Sequence, residues 1–200
     1  MKRPRTRAEQ KEATREKLLQ IARRLFTEHG FDGTSIALVT SRARVTHGAL
    51  YHHFPGKLEL FEAVLHDVVR DLISTIREAT EPVSGWARIE RACDVYLDCC
   101  SDPTVRVVFL RDGPRVVPPE RFLEIDRAAS EPLVTGLIER AIAEGVLRPA
   151  PVLLVARMLG AAFAEAGSAI AEADEPDRTR AEAREVLLAW LASLRAQRGV

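Results

Sequence analysis

The sequence predicts an all-α protein of about nine helices, in which a small three-helix head with a helix-turn-helix precedes a larger helical bundle. Three observations predict this fold class. Strand-like alternation is nearly absent from the 200 residues. Apolar residues recur at helical spacing along most of the chain, and Gly, Pro and capping residues separate the amphipathic stretches. Hydrophobic residues make up 46% and charged residues 29% of the chain, which is typical of a water-soluble globular protein.

The first predicted helix extends from about Ala8 to His29. Gly30 is expected to end it in the left-handed conformation that glycine adopts without strain. The apolar face of this helix comprises Leu18, Ile21, Ala22 and Leu25.

Two short helices are predicted within residues 34–54, separated by a three-residue turn at residues 44–46. Thr34 or Ser35 is the expected N-cap of the first helix, and Thr46 is the expected N-cap of the second, which should end near Phe54. These dimensions fit a helix-turn-helix. Packing of the apolar residues against the first helix would leave six side chains facing outward: Thr46, His47, Gly48, Ala49, Tyr51 and His52.

A long helix from Lys57 to about Ala79 should follow, spanning roughly 34 Å at 1.5 Å per residue. The bundle helices are then expected from Ser84 to Cys100, from Asp102 to Asp112, over residues 118–144, up to Ala173 and after Pro176. Asp112-Gly113-Pro114 should end the second of these, and Pro132 should kink or divide the third. The expected division is a head of residues 8–68 and a C-terminal helical bundle of residues 69–200.

Charge is distributed unevenly between these two parts. Residues 1–60 contain 12 Lys and Arg against 6 Asp and Glu, a net charge of +6, and the remaining 17 basic and 23 acidic residues give −6. A basic head on an acidic body fits a phosphate-binding module, although a solvated charged surface would look the same. The N-terminal arm carries Lys2, Arg3, Arg5 and Arg7, which would either reach DNA or form a solvated tail.

The segment from residue 15 to residue 61 resembles the TetR family of one-component repressors. The resemblance rests on Gly30, Thr34-Ser35, the run Val45-Thr46-His47-Gly48-Ala49-Leu50-Tyr51-His52-His53-Phe54, and Pro55-Gly56-Lys57. It implies a homodimer on palindromic double-stranded DNA, with a small-molecule ligand in the C-terminal bundle that releases the repressor.

By this resemblance, His47, Gly48 and Ala49 would face base edges in the major groove, and Tyr51 would contact a thymine methyl group. The resemblance implies phosphate contacts for Thr34, Thr46, Tyr51, His52 and Lys57. Ser35 and Arg44 are further candidate DNA-contacting residues, Arg44 through a phosphate if the turn differs from the family's. The family usually has glycine at the position of Arg44. Either Arg44 therefore adopts a strained positive φ, or the turn differs from the family's.

The resemblance also implies a ligand pocket and a dimer interface in the bundle. By helix face, the candidate pocket residues are Trp86, Cys93, Tyr96, Phe109, Arg111, Phe122 and Met158. The candidate interface residues on the last two helices are Leu159, Ala162, Phe163, Ala166, Ile170, Leu187, Trp190, Leu191 and Leu194. Each of these sets would equally suit an ordinary apolar core.

Other functions have weaker support in the sequence. Cys93, Cys99 and Cys100 lack zinc-site spacing and are expected to be free thiols in a reducing cytoplasm, with redox sensing as an alternative. No metal or other cofactor is expected, and no enzyme motif was found. The apolar stretch 152–170 contains Arg157 and Glu165, which disfavours a membrane span. A ligand-independent DNA-binding protein remains a further alternative to a ligand-responsive repressor.

Overall fold

The computed structural model describes residues 6–196, and within that range the all-α prediction is confirmed. The only β geometry in the described range is an isolated bridge between Leu147 and Arg195. The helices are α1 (Arg7–Gly33), α2 (Ile36–Ala43), α3 (His47–Tyr51), α4 (Lys57–Thr80), α5 (Gly85–Cys99), a π-helix π1 (Val105–Asp112), α6 (Gly113–Val116), α7 (Pro119–Ala143), α8 (Val152–Glu172) and α9 (Pro176–Ala192).

Helix α1 begins with a capping box and bends at Gly30. The Thr6 hydroxyl accepts a hydrogen bond from the Glu9 backbone N–H, and the Glu9 carboxylate accepts one from the Thr6 N–H. Gly30 has φ 69° and ψ 178°, a region open essentially to glycine alone. The expected left-handed helix end at Gly30 is therefore wrong. Gly30 has a different conformation, and helical backbone resumes after it as far as Gly33. A Cβ on Gly30 would lie 2.6 Å from Nη2 of Arg111, so close packing also requires glycine here.

The two short helices of the head have the predicted caps. The Ser35 hydroxyl accepts from the Leu38 N–H at 3.1 Å, and the Thr46 hydroxyl accepts from the Ala49 N–H at 3.2 Å. Helix α3 ends at Tyr51, earlier than predicted, and a turn brings Phe54 into the core. This buried ring fixes the end of the helix-turn-helix against α1.

Two alternatives were open for the turn between α2 and α3, and the structure has the one in which Arg44 adopts a strained positive φ. Arg44 has φ 54° and ψ 48°, and it is the one non-glycine residue with positive φ in residues 6–196. Its N–H donates to the carbonyls of Ser41 and Thr40, and the Val45 N–H donates to Thr40 at 3.1 Å. These bonds satisfy the last carbonyls of α2, which is why the chain retains this conformation with an arginine.

Proline positions in the bundle follow the sequence prediction only in part. The Asp102 carboxylate caps the next helical segment as predicted, accepting from the N–H groups of Thr104 and Val105. Gly113-Pro114 does not end this helical region, because the chain passes from π1 directly into α6. Proline suits the first turn of a helix, where no N–H partner is needed. Of the two alternatives at Pro132, division is wrong, because α7 continues through this residue, and the kink stays a prediction.

One apolar core extends from the head into the bundle. Buried residues of α1, such as Phe26, belong to the same contact cluster as Phe61 of α4 and Leu187 of α9. Phe61 is fully buried, with its ring edge-on to Phe26 at 5.1 Å and to Phe31 at 5.2 Å. Helix α4 contacts both α1 and the bundle helices α5 and α7, so it connects the head directly with the bundle.

Candidate DNA-binding site and ligand cavity

The outer face of the helix-turn-helix is largely solvent-exposed. Thr46, His47 and Gly48 are exposed at the start of α3, and Tyr51 is 51% exposed near its end. A Cβ on Gly48 would meet no atom closer than the Thr46 hydroxyl at 4.0 Å. The tip of α3 is therefore narrow, and it protrudes far enough to enter a major groove about 12 Å wide.

The remaining predicted DNA contacts lie around this tip. Ser35, Arg44 and His52 are exposed, and Ala49 is partly buried. Lys57 is also partly buried, with its Nζ 4.1 Å above the centre of the Phe31 ring. That cation–π contact holds the ammonium group at the start of α4.

Thr34 is positioned differently from the prediction. Its side chain is only 1% exposed, and its hydroxyl donates to the carbonyls of Gly30, at 2.8 Å, and Leu25, at 3.1 Å. The hydroxyl thus satisfies carbonyls freed by the bend in α1 and does not face solvent. Assigning Thr34 to a phosphate was wrong for this conformation, because the bend of α1 at Gly30 could not be foreseen from the sequence.

The structure also brings in a cation that the sequence analysis did not single out. Arg42 is exposed in the last turn of α2, two residues before Arg44. Its position two residues before Arg44, in the basic last turn of α2, was the signal available in the sequence. Of the arm residues, Arg7 begins α1, while Lys2, Arg3 and Arg5 lie outside the described residues.

An apolar cavity lies inside the bundle, between α4, α5, π1, α7, α8 and α9. Its empty volume, which includes open solvent at its mouth, is about 960 Å³. Helix α4 contributes Val69, Leu72, Ile73 and Ile76 to its wall. A neighbouring cavity of about 750 Å³ shares six lining residues with it: Phe109, Asp126, Ser130, Val134, Gly160 and Ala164.

Of the residues predicted from helix faces, Tyr96 and Phe109 line the main cavity. Phe122 stacks on Phe109 at 5.7 Å and lines the neighbouring cavity instead. The other four predicted residues lie elsewhere for identifiable reasons. Cys93 and Trp86 pack in the two apolar core clusters, Arg111 is half-exposed beside Asp112, and Met158 is 50% exposed on the outer side of α8.

The outward side of α8 and α9 is an exposed apolar face, called here the α8–α9 face. It comprises Leu154, Met158, Ala161, Val186, Ala189 and Trp190. Most of the residues predicted to form the dimer interface are on the opposite side. Leu159, Ile170, Leu187 and Leu191 are buried within the chain, Ala162, Phe163, Ala166 and Leu194 are partly buried, and only Trp190 is exposed.

Helix α8 is long and apolar enough to cross a membrane by length and composition, with a mean hydropathy of 1.4. A core helix of a soluble protein passes the same test, so this is weak support for a membrane span. Its apolar residues fall on two sides, one against the bundle core and one on the α8–α9 face, which explains the high hydropathy of the helix.

The three thiols lie in protected surroundings. Cys93 and Cys100 are buried, Cys99 is partly buried, and all three are free. Burial raises the pKa of Cys93 to about 12 and that of Cys100 to about 12, against the opposing effects of Arg184 on Cys93 and of the Tyr96 hydroxyl on Cys100. Reactive cysteines need a lowered pKa, so these surroundings disfavour the redox-sensor alternative.

Residues 18–64 match the family described as bacterial regulatory proteins, tetR family, and residues 86–194 match the tetracyclin repressor-like C-terminal domain. The chain is 28% identical over 139 residues to the Tn10 TetC protein of Escherichia coli, covering 68% of this chain and 69% of that one. It is 27% identical over 142 residues to the repressor KstR2 of Rhodococcus jostii, covering 69% and 70%.

Solved structures agree along nearly the whole chain. A TetR-family regulator from Pectobacterium atrosepticum superposes with a TM-score of 0.85 at 29% identity, covering 98% of this chain and 100% of that one. The ketosteroid regulator KstR2 of Mycobacterium tuberculosis has a TM-score of 0.56 at 21% identity, covering 92% and 95%, which shows a shared fold.

Proposed function

The chain belongs to the TetR family of bacterial transcriptional regulators, and from that premise we propose that it is a homodimeric repressor that a small molecule releases from a palindromic operator. DNA binding by the helix-turn-helix is the family's activity. The proposal adds the residues that contact DNA, the dimer interface and the ligand response. It rests above all on the cavity inside the bundle, whose wall is built partly from the helix that carries the head.

We assign base contacts to His47, Gly48 and Ala49, and phosphate contacts to an exposed frame around them. This frame comprises Ser35, Arg42, Arg44, Thr46, Tyr51, His52 and Lys57, with Thr34 left out because it is buried. Base contacts determine which sequence is bound, whereas phosphate contacts position the protein. In this proposal, residues 8–68 form the head and residues 69–200 form the ligand-binding and dimerisation part. The division is functional and does not separate two cores, because one apolar core joins the two parts.

The α8–α9 face is the proposed dimer interface. Trp190 is 48% and Val186 is 67% exposed, and large apolar groups clustered on a surface typically mark an interaction site. Two copies paired through this face would present two recognition helices to one DNA duplex, and a two-fold protein reads a two-fold site.

We propose two routes by which ligand binding would reach the head. Val69, Leu72, Ile73 and Ile76 place one wall of the cavity on α4, which begins at Lys57 beside the recognition helix. Phe109 places another wall on π1, which ends at Asp112 beside α1. A ligand that fits the cavity better when these helices are displaced would stabilise the form whose recognition helices no longer match the operator spacing.

The DNA-binding proposal is tested by selecting bound sequences from a random duplex pool and then footprinting the selected site. Gly48→Trp places a bulky ring on the narrow tip of α3. Because the free protein has room for this ring, folding should be unchanged, but the ring would obstruct the groove and we expect at least a tenfold loss of operator affinity. Lys57→Ala should weaken binding to all sequences and reduce the slope of log affinity against log salt by about one.

Ala128→Leu, at an exposed site on α7, is the control for surface substitution and should bind normally. An intact footprint with Gly48→Trp and Lys57→Ala combined would overturn the assignment of this face. Salt-sensitive binding without any preferred sequence would instead identify a DNA-organising protein that does not recognise an operator.

A further inference from the structure

The main cavity is lined almost entirely by apolar residues, and its few polar residues are an unusual set. Among the described residues, Asp126 is the one charged residue that lines it, and Ser130 lies one helical turn further along α7. No Arg, Lys or His of the described chain lines this cavity to pair with an anion. The wall is therefore apolar except for a single acidic position and its hydroxyl neighbour.

Asp126 and Ser130 have unused hydrogen-bonding capacity. Within residues 6–196, neither side chain makes a hydrogen bond or ion pair with another residue, whereas the Tyr96 hydroxyl is already paired with Cys100. Burial raises the pKa of Asp126, although the charge of its neighbour Arg127 acts in the opposite direction. The side chains of Asp126 and Ser130 both keep some contact with solvent, and a cation or donor bound in the cavity would stabilise the partly buried carboxylate further.

Aromatic rings surround the same space. Tyr96, Phe109 and Phe163 line the cavity, and Tyr96 and Phe163 meet edge to face at 5.1 Å. A carboxylate beside aromatic faces is the environment that favours an ammonium group, through an ion pair and cation–π attraction. The neighbouring cavity does not change this preference, because its Arg157 is paired with Glu131 at 3.1 Å and its Arg127 is exposed.

We propose that the bundle cavity selects an apolar ligand carrying a protonated amine, with the ammonium group bound by Asp126 and Ser130 and the apolar body against α4 and α8. This inference rests on the proposed ligand response of the cavity and adds the chemical class of its ligand. Asp126 lines both cavities, so the ammonium group would lie at their junction. Carboxylate ligands of the same length would be repelled by the Asp126 charge, because no cation of the described chain lines the main cavity and the neighbouring Arg127 is exposed.

The test compares three probes with the same apolar chain, decylamine, decanol and decanoate, each below its aggregation concentration. Affinity for the full-length protein is measured by displacement of the neutral fluorescent probe N-phenyl-1-naphthylamine. We expect decylamine to bind at least tenfold more tightly than decanol, and decanoate to bind most weakly. In Asp126→Asn the preference for decylamine over decanol should fall to less than threefold, while N-phenyl-1-naphthylamine binds as before.

Asp174→Asn, at an exposed acid between α8 and α9, is the matched control and should retain the full preference. Equal binding of amine and alcohol, tighter binding of decanoate, or a preference that survives Asp126→Asn would overturn the inference while leaving a ligand cavity in place. Failure of N-phenyl-1-naphthylamine and all three probes to bind would overturn the ligand-responsive function itself, and the inference with it.

Discussion

The Asp112 carboxylate at the end of π1 accepts a 2.7 Å hydrogen bond from the backbone N–H of Phe31, one residue after the bend in α1. Arg111 also donates to this carboxylate at 2.9 Å, and Arg115 lies 3.5 Å from it while pairing with Asp32 at 2.9 Å. Phe109 of the same π-helix lines the cavity, so only two residues lie between a cavity wall and the contact with the head. A π-helix is rare and often marks a functional site.

The first prediction concerns the pH dependence of this contact. Burial acts to raise the pKa of Asp112, but the hydrogen bonds from Arg111 and from the Phe31 N–H, with the charges of Arg111 and Arg115, lower it below its ordinary value. Since the pKa is lower in the folded protein, the stabilisation is complete above the ordinary aspartate value, about 3.9. It is lost as the pH falls from there through the folded pKa.

Asp112→Asn should therefore reduce the free energy of unfolding by about 1–3 kcal/mol at pH 7. At pH 3, below the ordinary aspartate value, part of this stabilisation is lost because the unfolded chain binds the proton more readily, so the difference between the two proteins should be clearly smaller. Urea titrations at the two pH values measure both quantities. Asp177→Asn, at an exposed acid on α9, controls for loss of a surface charge, and an equal difference at both pH values would refute the role of the Asp112 charge.

The second prediction uses the positive φ of Arg44. An L-residue in this conformation is strained by about 1–2 kcal/mol, whereas glycine adopts it freely. Arg44→Gly should therefore raise the free energy of unfolding by about 1 kcal/mol and weaken DNA binding, because an exposed cation is lost. Chemical denaturation and the salt dependence of DNA binding measure the two effects.

Arg42→Gly is the matched comparison, since it removes the same charge from ordinary helical backbone two residues earlier. Glycine there should lower stability by about 1 kcal/mol. The two substitutions are thus expected to have opposite effects on the free energy of unfolding, which Arg44→Gly should raise and Arg42→Gly should lower. If both destabilise equally, the turn in solution does not have the conformation described here.

The third prediction tests the α8–α9 face. Leu154→Glu on α8 and Val186→Glu on α9 replace exposed apolar groups with charges, which a dimer interface would have to desolvate. Each should shift the sedimentation of the protein at micromolar concentration from dimer to monomer and leave its helical content unchanged. Tyr51→Glu, at a similarly exposed apolar position in the head, should remain dimeric. A dimer unaffected by either α8–α9 substitution would place the interface elsewhere.

The fourth prediction concerns the thiols. With pKa values of about 12, Cys93 and Cys100 are almost entirely protonated near neutrality, and only the thiolate reacts with disulfides. At pH 8, 5,5′-dithiobis(2-nitrobenzoate) should modify at most one thiol of the native protein within minutes, and Cys99→Ser should remove that reaction. All three should react in denaturant. Rapid modification of Cys93 or Cys100 in the native protein would revive the redox alternative.

The sequence by itself determined the helix order and the caps at Thr46 and Asp102, and it limited the cap of α2 to Thr34 or Ser35, because caps depend on neighbours a few residues away. It also located the exposed tip of the recognition helix. It left two alternatives at Arg44, and the hydrogen bonds to Thr40 and Ser41 decided between them. Local chemistry fixes where a helix begins, but it does not fix what the helix touches.

Only the tertiary structure decided which side of each bundle helix faces the interior. Helix α8 is apolar on two sides, so the helical pattern of its apolar residues is compatible with either Leu159 or Met158 facing the interior. In the structure α8 packs against α7 and α9 in such a way that Leu159 is buried and Met158 is exposed. In the same way, the bend at Gly30 turned Thr34 inward, and the fold brought Asp126 into an apolar cavity without a partner. These outcomes depend on contacts between residues far apart in the chain, which no local pattern encodes.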